Sequence, residues 1–387
     1  MADWHIVTCE YPPTVGGVSD YTFLLAGELA RCGDQVQVWH PPAPPGSSPL
    51  QPGVSSHPEM GSFSPRDLRQ AELALNQYPW PHRILLQWVP HGYGRRSMNL
   101  GFCRWIAARA RQGDALDLMV HEPFLAFSAR SWKQNVPAAL HRVMASTLLK
   151  AARRIFLSIP AWEPMLRPLA PPNAVFTWLP VPSTVPVFSD PAASAAIRAR
   201  YLGSGQSALV GHFGTYGNLV PEVLRPVLHG VLKECSSARV LLLGRGSDAE
   251  ARRLSLQHRE LAGRVHGSGR LSGRELSLHL AACDLMLQPY PDGVSSRRTS
   301  LMACLSHGLP VVSNSGRLSE DLWQTSDALA LAPLAQPAQL ATLALRLLGD
   351  ASLRQQLASR ARVFYSRNFD WPVVLTQLRE PADAAVV

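Results

Sequence analysis

The chain has 387 residues, 46% of them hydrophobic and 17% charged, and a formal net charge of +9. Such a length exceeds one ordinary core and fits two domains, and such a balance excludes a disordered chain. The positive charge suits an anionic substrate or an acidic membrane surface, while the lack of any basic run interleaved with aromatics argues against nucleic acid as a partner.

Trp4 to Cys9 reads as a buried strand, Glu10 to Ser19 (EYPPTVGGVS) as a turn-rich loop, and Asp20 to Cys32 as a helix with Tyr21, Leu24, Leu25 and Leu29 at helical spacing. Ser19 or Asp20 can cap that helix and Gly33 can end it. Gly16 and Gly17 therefore fall between the first strand and the first helix, where backbone can approach a phosphate or sugar closely. A glycine pair equally serves a tight turn with no ligand. Gln35 to Trp39 is the next strand, and His40 to Pro65, rich in Pro, Gly and Ser, reads as a long surface loop. Strands at Ile84 to Val89, Leu116 to His121 and Arg154 to Ile159 alternate with helices at Met98 to Gln112 and Pro137 to Ala152. This alternation predicts a parallel, doubly wound sheet. His91 to Gly94 and His121 to Pro123 place polar groups at strand carboxyl ends, where open α/β sheets bind ligands.

Leu179 to Pro191 (LPVPSTVPVFSDP) cannot continue either element and reads as an interdomain linker. Strands at Ala208 to Phe213, Arg239 to Leu243, Val265 to Gly269 and Leu285 to Gln288 then alternate with helices at Val220 to Glu234, Ala249 to Ala262 and Glu275 to Cys283. After Leu285 to Gln288 come a loop from Pro289 to Ser296, a helix from Arg297 to Ser306 and a strand from Val311 to Ser313, with long helical patterns beyond Ala330. The predicted architecture is α/β: two Rossmann-like, doubly wound parallel-sheet domains facing a cleft, over residues 1–182 and 183–368, with a closing segment at 369–387. The loop from Pro289 concentrates Asp292, Ser295, Ser296, Arg297, Arg298, Thr299 and Ser300 at one strand end. We read this loop as half of a nucleotide-sugar site.

No apolar run is long enough to span a bilayer, and the first residues show no basic n-region followed by an apolar core, so the expected location is the cytoplasm. Contact with the inner face of the membrane rests on net charge alone, since no distinct amphipathic basic helix stands out. The six cysteines are scattered without a Cys-x-x-Cys pair, which suggests reduced core thiols and no structural zinc.

The order of these features resembles glycosyltransferase family 4, the retaining nucleotide-sugar enzymes of the GT-B fold. YPPTVGGVSDYT is similar to the family's N-terminal glycine loop, VHEP (Val120 to Pro123) to the segment carrying its N-domain histidine, and LSHGLPVVSNSG to the strand and turn after its donor loop. GRGSD, AACDLMLQPY and the closing NFDWPVVLTQL stand in the expected order, and in this family the closing segment crosses back onto the first domain. The resemblance points to a donor site formed by Gly16, Gly17, Gly214, Thr215, Gly293, Ser295, Ser296 and Ser300, to which this chain's own loop adds Arg297 and Arg298. His121 would contact the sugar and Asp292 would lie near its hydroxyls; no metal ligand set is visible in the sequence, and no cofactor is expected. It implies a UDP- or GDP-sugar donor, an acceptor of glycan, lipid or small-molecule type, and retention at the anomeric carbon.

Two departures stand out. Asp292 and Ser300 occupy the positions where the family carries two glutamates eight residues apart, and serine forfeits a charge-assisted bond to a ribose hydroxyl. The turn FGTYGNLVPE offers Thr215 and Pro221 where the family has an arginine and a lysine for the diphosphate. A departing diphosphate still requires cationic stabilisation. Arg297 and Arg298 are the candidates, because cations at a helix N-terminus oppose the macrodipole and need another reason to be there. The alternatives are that both arginines pair with surface carboxylates, that the chain is a nucleotide-sugar-binding or scaffold protein that has lost catalysis, and that it is an epimerase on the same fold.

Overall fold

The computed structural model describes residues 2–42, 51–202, 208–217 and 219–380. The chain divides into two compact units, Met1–Pro180 together with Val374–Val387, and Val181–Val373.

The first unit runs β1 (Asp3–Val7), α1 (Gly17–Arg31), β2 (Gln35–Trp39), β3 (Val54–His57), α2 (Pro65–Leu75), β4 (Arg83–Trp88), α3 (Leu100–Arg111), β5 (Ala115–Val120), α4 (Trp132–Ala151), β6 (Arg154–Leu157), α5 (Glu163–Leu166) and β7 (Phe176–Trp178). Its strands form a parallel sheet in the order β3-β2-β1-β4-β5-β6-β7. Burial of both faces explains the near-continuous apolar runs of β4 and β5. The loop expected from His40 to Pro65 contains β3 and a helical turn at Pro58–Met60; residues 43–50 lie outside the described part. Helix α2 had a readable start: Ser64 and Asp67 form a capping box with Pro65 at the first helical position.

The second unit runs α6 (Pro191–Leu202), β8 (Leu209–Phe213), α7 (Leu219–Glu234), β9 (Arg239–Leu243), α8 (Ser247–Gln257), β10 (Val265–Gly267), α9 (Gly273–Ala281), β11 (Leu285–Gln288), α10 (Thr299–Ser306), β12 (Val311–Ser315), α11 (Leu322–Thr325), β13 (Ala330–Pro333), α12 (Pro337–Gly349) and α13 (Ala351–Asn368). The parallel order is β10-β9-β8-β11-β12-β13. Its core packs Leu228, Val231, Leu242, Leu285 and Val312 against Leu340 and Leu347 of α12.

In both sheets the strand order reverses beside the first strand, between β1 and β4 and between β8 and β11. Those reversals open crevices at the carboxyl ends of the strands, the usual ligand position in such sheets. All six cysteines are unpaired; Cys103, Cys283 and Cys304 are buried, whereas Cys32 is exposed. No helix among the described residues is long and apolar enough to cross a membrane.

A last helix, α14 (Trp371–Arg379), carries the chain back into the first unit from Val374 onward. Its terminal carbonyls lack helical partners and are met by arginines. Arg83 donates to Leu378 O at 2.9 Å, and Arg154 donates to Leu378 O at 3.0 Å and Glu380 O at 2.6 Å. Both arginines are aimed by the fully buried Asp117, which accepts from Arg154 at 2.5 Å and from Arg83 at 3.5 Å. Removing one partner of such a pair strands the others, at a cost of about 3 kcal/mol. Asp117→Ala is expected to lower the thermal midpoint and to raise amide exchange over 374–379; an unchanged midpoint would show that the carboxylate does not hold the arginines.

Candidate functional site

In the second unit, the loop after β11 is fastened along the end of β12. Buried Asn314 accepts from Tyr290 N at 2.7 Å through its side-chain oxygen and donates to Tyr290 O at 2.9 Å, and Val294 N donates to Asn314 O at 2.8 Å. Gly293 adopts φ +90°, and a Cβ there would run into the backbone of Gly316, so the two backbone segments pass in direct contact.

This fastening puts Asp292 beside both arginines. Its two oxygens accept separately, one from Arg297 at 2.6 Å and the other from Arg298. The three side chains are roughly a fifth exposed or less, and the Arg298 guanidinium also lies over the Tyr290 ring, 4.8 Å from its centroid. Burial pushes the Asp292 carboxyl up, but Arg298 and Arg297 outweigh it and its pKa is lowered. Within this loop one carboxylate thus bonds two guanidiniums. The group sits just before α10, which begins at Thr299, two residues later than its sequence suggested.

The serines are placed differently from one another. Ser295 and Ser296 are fully buried, and Ser296 gives both its N–H, at 2.9 Å, and its hydroxyl to Glu320 Oε1. Neither hydroxyl faces solvent, because Glu320 and the loop's own packing enclose them. Ser300 is partly exposed and pairs with the Tyr290 hydroxyl at 2.9 Å. Burial raises the pKa of Glu320, against the opposing hydrogen bonds from Ser296 and Trp323.

At the end of β8, Gly214 is partly buried and Thr215 is exposed. The turn is pinned by Tyr216, whose hydroxyl bonds His212 Nδ1 at 2.9 Å and donates to Leu243 O at 3.3 Å. Gly244, at φ +108°, passes so close that a Cβ would strike Gly214 O. The next residue, Arg245, is exposed and has no carboxylate partner among the described residues. A cation at the β9 turn thus stands beside a β8 turn in which sequence comparison found none.

In the first unit, Gly16 caps α1 in extended conformation, and Gly17 has open space where a Cβ would be. The Glu10 carboxylate accepts from Val18 N at 3.1 Å and Ser19 N at 3.0 Å, and a Cβ on Gly16 would collide with it. The helix N-terminus, a natural anion site, thus holds a carboxylate of the chain itself. His121 follows β5, with Nε2 2.7 Å from Gln87 Oε1 and its ring edge-on to Tyr21 at 5.0 Å. Burial lowers its pKa to about 4, which keeps it neutral near pH 7.

Sequence reasoning passed over Glu10, Glu320, Asn314 and Arg245. Arg245 was detectable as a charge between two glycines at a strand's carboxyl end, whereas Glu320 and Asn314 act through folding and left no local signal. Away from these loops, His229, His258 and Glu260 bring ligand-type atoms within 4.8 Å of one another on α7 and the turn after α8. This grouping is invisible in the sequence spacing.

Residues 209–350 match the family model described as Glycosyl transferases group 1. That segment spans β8 to the end of α12 and includes every loop residue named above in the second unit. No curated protein matches the chain in sequence. Among solved structures, a sucrose-phosphate synthase from Thermosynechococcus elongatus aligns at TM-score 0.72 and 16% identity over 97% of each chain. HepE of Anabaena in complex with UDP and glucose aligns at TM-score 0.66 and 16% identity over 99% of each. WaaG, a glycosyltransferase of lipopolysaccharide biosynthesis, aligns at TM-score 0.64 and 16% identity over the whole of both chains. The architecture is the two-domain, Rossmann-like GT-B fold.

The neutral state of His121 has a pH signature. Its folded pKa of about 4 lies below the usual 6.5, so between those values the unfolded chain binds more protons. Stability is therefore retained above pH 6.5 and falls as pH drops toward 4. Acidification from pH 7 to 5 is expected to lower the midpoint of the native protein by several degrees more than that of His121→Gln; parallel curves would mean that His121 is not held neutral.

Proposed function

We propose that the chain is a glycosyltransferase that takes a sugar from a nucleoside-diphosphate donor, UDP- or GDP-linked, to a glycan, lipid or small-molecule acceptor. The observation that carries this reading is the pair of guanidiniums, Arg297 and Arg298, held beside the strand reversal of the unit that matches the glycosyl transferase model. Two proteins of similar fold are known with such a ligand: HepE in complex with UDP and glucose, and an E. coli trehalose-6-phosphate protein bound with UDP-2-fluoro glucose. The diphosphate of such a donor carries two negative charges and gains a third as its bond to the sugar breaks, and preorganised cations lower the barrier to its departure.

In this reading the diphosphate takes the two arginines, with Arg245 near the β8 turn as a third cation and the backbone of Gly214 and Gly293 allowing close approach. Ser300, held by the buried Tyr290 hydroxyl, offers a hydroxyl to the ribose. Asp292, released from one arginine, stays near the sugar hydroxyls. In the first unit, neutral His121 can donate or accept a hydrogen bond without adding charge, and the open space beside Gly17 lets a ligand approach the backbone closely. In the retaining form of the reaction, the bond from the anomeric carbon to the diphosphate oxygen breaks. The acceptor oxygen adds on the same face, and its proton passes to the leaving diphosphate.

A second reading, a binding protein without turnover, draws on one specific observation: both arginines are already engaged by Asp292. Donor hydrolysis or transfer with a panel of nucleotide sugars separates the two. Thermal shifts with UDP, GDP and ADP identify the base, since a ligand that binds only the folded state raises its stability. Replacing Arg297 and Arg298 together by Ala is expected to weaken the preferred diphosphate at least tenfold; unchanged affinity would remove the arginines from the donor site.

A further inference from the structure

Helix α4 (Trp132–Ala151) is apolar on two opposite faces. One face carries Ala138, His141, Met144, Ala145, Leu148 and Leu149 into the core. The other carries Trp132, Val136 and Val143, with Ala139 between them, at intervals of four, three and four residues, which is one helical stripe. That stripe is bare: Trp132 is 72% exposed, Val136 55% and Val143 50%, and Phe127 beside it is 55% exposed. Isolated exposed apolar residues need no explanation, but an aligned row headed by two aromatics does.

Phe127 is held at the edge of this stripe rather than left loose. Ser128 N donates to Asn135 at 2.7 Å, Gln134 donates to Ala126 O at 3.0 Å, and Arg142 donates to Leu125 O at 3.0 Å. The Arg142 guanidinium lies over the Phe127 ring, 3.9 Å from its centroid, and over Phe124 at 4.1 Å. Solvent-facing aromatics fixed by hydrogen bonds are preorganised for insertion into something apolar.

The surrounding charge says what that is. Positions 123–162 contain Arg130, Lys133, Arg142, Lys150, Arg153 and Arg154 and no aspartate or glutamate. Arg130, Lys133 and Lys150 are exposed and have no carboxylate partner among the described residues, and Lys150 lies on the line of the apolar stripe. A second copy of the chain docked face to face would bring like charges together. An anionic bilayer meets both features, because aromatic side chains enter the headgroup boundary while lysine and arginine remain at the lipid phosphates.

We infer that the face formed by Phe127, Trp132, Val136 and Val143 and rimmed by Arg130, Lys133 and Lys150 is a docking surface for anionic membrane lipid. It places the first unit on a membrane surface and does not rest on the transferase reading. The test is co-sedimentation of the full chain with vesicles of phosphatidylcholine alone and of phosphatidylcholine with phosphatidylglycerol in equal parts. Binding at least tenfold stronger to the anionic vesicles is expected, weakening as salt rises from 0.1 to 0.5 M in the manner of screened charges (about 10 Å against a few Å of screening length). The variant Phe127→Ser with Trp132→Ser should lose at least tenfold at an unchanged thermal midpoint. Leu256→Ser, at an 82% exposed site on α8, should bind as the native protein does. Absence of binding, equal binding to neutral vesicles, or a dimer by light scattering that the double variant abolishes would each overturn the assignment.

Discussion

The charge balance around Asp292 is the constraint on which the second unit's site depends. A single carboxylate, Asp292, bonds two guanidiniums, Arg297 and Arg298, in a largely buried loop. Burying cations without that partner would be costly, and leaving the carboxylate without them would raise its pKa, so the three groups specify one loop conformation together. The Asn314 hydrogen bonds and the Gly293–Gly316 contact then fix where the loop lies on the sheet.

The first unit solves a similar problem in the same way. The N-terminus of α1 presents unsatisfied N–H groups at the β1 end, and Glu10 fills them. In each unit, the feature best suited to an external anion is occupied by a carboxylate of the chain. An incoming diphosphate would exchange one anion for another rather than create a new charge pair. Its net gain is thus a difference between two favourable interactions, and it depends on the second negative charge and the bridging geometry that a side-chain carboxylate lacks.

Much of the fold was legible because its signals are periodic. Buried parallel strands such as β4 and β5 read as continuous apolar runs, and α1 and α7 show helical spacing, so the alternation and the two-sheet architecture followed. Shorter or partly exposed elements did not: β3 (VSSH) has no apolar run, and α6 (PAASAAIRARYL) has no buried residue. At the site, sequence comparison pointed to Asp292 and both arginines as a group. It could not tell that they would pair with one another, since that depends on side-chain direction in an irregular loop. Ser295 and Ser296 read as loop hydroxyls and are buried, Ser296 against a glutamate some two dozen residues downstream. The apolar outer stripe of α4 was hidden for the opposite reason: with both faces apolar, the helix shows little amphipathic contrast.

Calorimetric titration of the preferred nucleoside diphosphate into native protein and Asp292→Asn is the most direct test of this account. If Asp292 competes with the diphosphate for Arg297 and Arg298, the substitution preserves or tightens diphosphate affinity while turnover falls. Loss of diphosphate binding in a folded Asp292→Asn protein would contradict it, because the carboxylate would then be supporting the ligand rather than standing in its place.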